Sequence, residues 1–193
     1  MKQKLATVLR TLPAVLLPLA LLLPGDALQI LPTLAAVALH ECGHLLAFSL
    51  LGEPEPAFSF SLGGFRFLAR RPLSWRAEGI IAAAGPIANF AAANVLLLLS
   101  AFFSQAREYL VFAAVLQLSS AIWNLLPIAD LDGARILSAC LSRLPPTLAD
   151  RITHALSGAV LFLGLTLSLG ILYFSGAAFY TSLAFFLLLL ATP

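Results

Sequence analysis

Charge is what this sequence has least of. Lysine and arginine number 11 and aspartate and glutamate 9 among 193 residues, 10% in all, where a water-soluble domain carries about 25%. That is too few ionised groups to cover a water-facing surface, which excludes an ordinary soluble globule. The formal net charge of +2 is too small for the broad basic face that nucleic acid demands. Cysteine is confined to Cys42 and Cys140, which excludes a disulfide framework. Both stand in apolar surroundings, where a buried free thiol is the expectation. Histidine occurs only at His40, His44 and His154, so the spacing of the first two carries weight. Internal repeats, low-complexity tracts and a second soluble domain are also missing.

Apolar residues take up the difference, at 61% of the chain with a mean hydropathy of +0.98. The solvent of such a chain is largely lipid. A spanning helix needs about 20 mostly apolar residues, and six stretches qualify: about 5–23, 28–51, 79–103, 109–128, 152–174 and 177–191. The last two are separated by a Ser175-Gly176 turn and form an antiparallel hairpin. The first has an alternative reading as a secretory signal, with Gly25-Asp26-Ala27 as a small-residue cleavage site.

Orientation follows from lysine and arginine. Lys2, Lys4 and Arg10, then Arg66, Arg70, Arg71 and Arg76, then Arg135, Arg143 and Arg151 all fall on one side of a six-span layout. Arg107 stands alone on the other. Both termini and the connections 52–78 and 129–151 are therefore expected in the cytoplasm. Within 52–78, Phe58, Phe60 and Leu62 alternate with Ser59 and Ser61 before Gly63-Gly64 and Phe65-Arg66-Phe67, which predicts a β-hairpin on the membrane surface. Trp75 beside Arg76 predicts an anchor at headgroup depth. Ile136, Leu137, Cys140, Leu141 and Leu144 recur at helical spacing, which predicts a short interfacial helix. The expected fold class is an all-α polytopic membrane protein of about six transmembrane helices with a small membrane-associated β-hairpin.

The second span contains Leu39-His40-Glu41-Cys42-Gly43-His44-Leu45. One helical turn separates His40 from His44, so both imidazoles can meet one metal ion. Glu41 is placed to act as general base toward a water on that metal. An ionisable residue within a span costs about 2.5–3.5 kcal/mol by insertion scales and is usually functional. The competing reading is a set of polar groups that pair with one another and only pack.

A catalytic zinc usually has three protein ligands. His154, Asp130 and Asp132 are the candidates for the third, and the two carboxylates suit it better. They follow Asn124-Leu125-Leu126-Pro127-Ile128-Ala129, where Pro127 disrupts the helix. Gly133 then permits a tight turn. Charge bias, which is blind to metal chemistry, puts this segment and His44 toward the same membrane face.

These motifs resemble the site-2 protease family of intramembrane zinc metalloproteases. His40, Glu41 and His44 match its HExxH motif. Asn124, Pro127, Asp132 and Gly133 match its NxxPxxxxDG motif, and Ala84-Gly85-Pro86-Ile87-Ala88-Asn89 is similar to its AGPxxN segment. The chain departs from the family at Ala129-Asp130 and at Ala134, away from any ligand position. The layout resembles the short branch that includes the stage IV sporulation protease FB. The resemblance implies one intramembrane protease domain over 1–193, with a catalytic core at about 28–137 and extra spans at 5–23, 152–174 and 177–191.

It further implies one Zn2+ per chain held by His40, His44 and Asp132, with Glu41 activating water. Asn124 is assigned to substrate backbone or the developing oxyanion; its alternative is a helix-end amide that satisfies carbonyls freed near Pro127. Gly85, Pro86 and Asn89 are expected to serve close helix packing. The implied function is hydrolysis of peptide bonds in or near transmembrane segments, in regulated intramembrane proteolysis of a signalling or transcription-factor precursor. The implied partners are a membrane-spanning or membrane-associated protein substrate, the lipid bilayer and membrane-bound regulators. The implied location is a bacterial cell membrane, with sporulation as the setting of the short branch. The rival classes are a membrane metal-binding or transport protein, a non-catalytic membrane scaffold and a hydrolase acting on lipid.

Overall fold

The computed structural model describes residues 27–54, 56–61, 64–128 and 131–175. Helix α1 runs Ala27–Leu50, strands β1 and β2 run Ala57–Ser61 and Gly64–Leu68, and helix α2 runs Trp75–Phe102. A 3-10 turn, Ser104–Ala106, leads into α3 (Arg107–Asn124), followed by α4 (Asp132–Cys140) and α5 (Pro146–Ser175). The first expected span, 5–23, and the last, 177–191, lie outside the described residues. Among those described, three helices are long and apolar enough to cross a membrane: Leu31–Leu50, Trp75–Phe102 and Pro146–Gly170.

α1 stops where Gly52 takes the left-handed conformation, φ 65°. Its neighbours close the end, with the Gly52 N–H donating to Ser49 O at 3.1 Å and the Glu53 N–H to Phe48 O at 3.0 Å. Glycine is the natural residue for that turn, because a Cβ disfavours positive φ. The two strands pair antiparallel, Ala57 opposite Leu68 and Ser61 opposite Gly64. Glu53 before them and Arg71 after them join through two contacts of 2.9 Å, so the base of the two-stranded unit is clasped.

α2 begins at Ser74, whose hydroxyl accepts from the Ala77 N–H at 3.2 Å, satisfying one of the free amides of the first turn. At 28 residues and about 1.5 Å per residue, it exceeds the roughly 30 Å hydrocarbon thickness. At its start the guanidinium carbons of Arg76 and Arg143 lie 4.9 and 5.9 Å from the Trp75 ring centroid. Small residues let α1 and α2 touch. A Cβ on Gly43 would come 2.6 Å from Ala84 O and 2.9 Å from Ala88 Cβ. In lipid, helices associate through such close packing rather than through exclusion of water.

α3 packs against both α1 and α2 with Ala113, Ala114, Leu116, Gln117 and Ala121 buried. It ends at Asn124, four residues short of the expected span end, and is not among the three apolar candidates. Pro127 has no N–H to extend the ladder and disfavours the helical conformation at Leu126. Gln117, Ser119, Ser120 and Asn124 also dilute the apolar run.

The segment after α3 is seated by α5. Ile128 and Leu161 are both fully buried against each other, and Ser157 Oγ donates to Pro127 O at 2.5 Å. α4 packs on α2 over the stretch where the spacing predicts an interfacial helix. The two thiols correct an expectation, since Cys42 and Cys140 are free and exposed rather than buried. In α1, inward-facing His40 and His44 turn Cys42 to the outer face.

Candidate metal centre

Two of the candidate ligand residues come from α1 and one from the start of α4. His40, His44 and Asp132 are 6, 5 and 6% exposed, and their donor atoms all lie within 4.8 Å of one another. His40 Nε2 is 2.9 Å from Asp132 Oδ2, His44 Nε2 is 3.2 Å from the same oxygen, and the two Nε2 atoms are 3.1 Å apart. The rings meet edge to face, with centroids 4.8 Å apart at 84°.

α2 sets the position of both rings. The His44 Nδ1–H donates to Ile81 O at 2.7 Å, which leaves the Nε2 lone pair free to face the cluster. A Cβ at Gly85 would lie 2.5 Å from His44 Nε2 and 2.8 Å from His40 Cε1, so the imidazoles occupy the space a side chain would fill. Pro86 follows within the helix and withdraws the donor that would otherwise bond the Ala82 carbonyl. Asn89, one turn beyond Gly85, is 0% exposed, and neither its amide atoms nor His40 Nδ1 find a partner among the described residues.

Asp132 opens α4, and Gly133 makes the approach possible: a Cβ there would collide with the Leu125 and Leu126 backbone. Asp132 Oδ1, the oxygen turned away from the histidines, accepts from Arg135 Nη1 at 3.2 Å, and Arg135 Nε donates to Glu78 Oε1 at 2.7 Å. Burial pushes the Asp132 pKa up. The hydrogen bonds and charges of His40 and His44 outweigh burial and hold the carboxyl well below the usual carboxylate range. Glu41 is half-buried and lies near enough to His40, His44, Asp132 and Arg135 to feel their charges.

The donor set fits a zinc-type cation. Two neutral imidazole nitrogens and one carboxylate oxygen are the ligand types of open catalytic zinc sites. Ligands about 2.0–2.1 Å from a tetrahedral ion stand roughly 3.3 Å from one another, close to the spacings here. Other site candidates fall elsewhere. His154 is exposed on α5 and lies outside the cluster, and Asp130 is outside the described residues. Asn124 closes α3 with its Nδ2 donating to Ser120 O at 3.0 Å. The motifs point to the three candidate ligands but not to Ile81 O, Arg135 or Glu78. A backbone carbonyl has no sequence signature, and Glu78 lies 57 positions from Arg135.

Fold and site together give a helical protein with three helices long and apolar enough to cross a membrane and a buried two-histidine, one-carboxylate cluster that could hold a cation. Residues 100–167 match Peptidase family M50. A Bacillus subtilis protein named "Putative peptide zinc metalloprotease protein YydH" is 32% identical over 113 residues, 55% of this chain and 44% of that protein. A protein of Methanocaldococcus jannaschii named as a zinc metalloprotease is 33% identical over 112 residues, 56% of this chain and 32% of its own length. The chain thus spans less than half the length of these curated relatives. A solved structure, the site-2 protease from Methanocaldococcus jannaschii, superposes with a TM-score of 0.60 at 22% identity, covering 93% of this chain and 84% of that one. The fold is shared with it. The chain is thus similar to Peptidase family M50 over residues 100–167 and to proteins named as zinc metalloproteases over somewhat more than half of its length.

Proposed function

We propose that the chain is an intramembrane zinc metalloendopeptidase that hydrolyses peptide bonds in or near the transmembrane segments of membrane proteins. The observation that carries this reading is the meeting of His40, His44 and Asp132, drawn from stretches 92 positions apart, beside Glu41. His40, His44 and Asp132 would hold a zinc ion, whose chemistry there would be Lewis acidity toward the scissile carbonyl and a water of lowered pKa. Glu41, beside the cluster, would take a proton from the attacking water and return it to the leaving amine, so that water adds across the carbon–nitrogen bond. His44 is kept in the ligating tautomer by Ile81 O. Asn124 is placed by this reading against substrate backbone or the oxyanion, an exchange of its present bond to Ser120 O.

β1 and β2 form a two-stranded sheet, so each keeps an outer edge to which an unwound substrate can add as a strand. The biological setting we infer is regulated intramembrane proteolysis of a signalling or transcription-factor precursor. The chain is then multi-pass in a bacterial cell membrane, with six spans, cytoplasmic termini and membrane-bound regulators. The lopsided distribution of arginine and lysine supports the orientation. Likeness to the short branch supports a sporulation role and a single domain over 1–193.

The test is cleavage of single-span membrane substrates by purified protein. Glu41→Gln should abolish cleavage while bound zinc stays stoichiometric, and Asn124→Ala should lower cleavage with zinc retained. Undiminished turnover by Glu41→Gln would overturn the protease reading in favour of metal binding or transport.

A further inference from the structure

A carboxylate near a cation can present one oxygen or both, and the outcome decides how many positions the cation keeps for water. In Asp132 the two oxygens are already divided. Oδ2 faces His40 and His44 at 2.9 and 3.2 Å, and Oδ1 is 3.2 Å from Arg135 Nη1. Arg135 is itself held from a different helix, its Nε 2.7 Å from Oε1 of Glu78 in the first turn of α2. The guanidinium is planar and rigid, so two donors fixed on two acceptors define its orientation. The same helix that carries Ile81 O and the gap at Gly85 thereby sets the rotation of the Asp132 side chain.

Charge supports the arrangement. Arg135 alone would cancel the negative charge of Asp132 and weaken its attraction for a divalent cation. Glu78 neutralises Arg135, so the trio retains a single negative charge beside the two neutral imidazoles.

Resting on the metalloprotease reading above, we propose that Arg135, oriented by Glu78, is the positioning residue that makes Asp132 a one-oxygen ligand. It thereby reserves a coordination position for water. Without it, Oδ1 is a buried acceptor with no fixed donor, free to swing into the cation site and crowd that position.

The experiment loads the full chain, purified in detergent, with Co2+ in place of zinc. It reads affinity by competition with a chelator and coordination number from visible absorption. Arg135→Ala should weaken binding about 10- to 100-fold, the usual effect of losing a partner behind a ligand, and reduce the absorption as coordination rises above four. Glu78→Gln preserves shape and leaves Asp132 and Arg135 in place; it should weaken binding about tenfold. Arg135→Lys should restore part of the affinity and not the spectrum, because an ammonium lacks the fork. An unchanged affinity and spectrum in Arg135→Ala overturns the proposal. If Arg135→Ala does not fold, Glu78→Gln decides: wild-type affinity and spectrum there overturn it equally. A wild-type chain that binds no Co2+ or Zn2+ would sink the metalloprotease reading itself, a different result from tight wild-type binding that ignores both variants.

Discussion

α1 and α5 are both apolar enough to cross a bilayer, yet 39% of the apolar window of α1 is buried inside the protein against 17% of that of α5. α1 turns Thr33, His40 and His44 inward and brings Gly43 against the backbone of α2. α5 leaves Phe162, Leu163, Leu167 and Leu169 exposed; among the described residues it packs on α4 and holds the segment after α3 through Ser157 and Leu161. Hydropathy does not separate these helices. What separates them is where small and polar residues interrupt the apolar run, because lipid neither requires a glycine nor satisfies an imidazole.

The sharpest way to break that contrast is at Gly85. An added methyl in Gly85→Ala would meet both imidazoles, so bound zinc and cleavage should fall on the order of 100-fold, measured by metal content and turnover. If both remain normal, the rings are not held by the gap. Leu161→Ala should have a smaller effect. Leu161 is fully buried on Ile128, and its truncation should cost about 2–5 kcal/mol in detergent-based unfolding while largely sparing zinc. A loss of zinc as complete as in Gly85→Ala would make α5 part of the site rather than its support. The mildest change is Gly158→Ala on α5. Nothing lies within 4 Å of an added Cβ there, so the helix should gain about 0.5–1 kcal/mol. Destabilisation would reveal a partner against that face.

Much of the site was legible from sequence because its logic is local. HExxH places two imidazoles on one helical face, and Pro127 and Gly133 bracket an irregular stretch that can present Asp132. The helix Asp132–Cys140 was legible from the spacing of Ile136, Leu137 and Cys140. Contacts between helices were not. Ala84-Gly85-Pro86 reads as a packing motif, and only the three-dimensional register shows that the missing Cβ lies against histidine rings. The end of α3 was misplaced because apolarity continues through Leu125, Leu126 and Ile128 after the backbone has left the helix. The cysteines were misjudged because an apolar neighbourhood in sequence does not distinguish a protein interior from a lipid-facing surface.

The bond from His44 to the carbonyl of Ile81 has an experimental corollary. No replacement of the side chain at position 81 removes that oxygen, so a conventional mutational scan would report on the hydrocarbon and pass over the contact itself. Exposing it takes a change in the main chain, such as an ester linkage in place of the amide joining Ile81 to Ala82, which makes the carbonyl a poorer acceptor while leaving every side chain as it was.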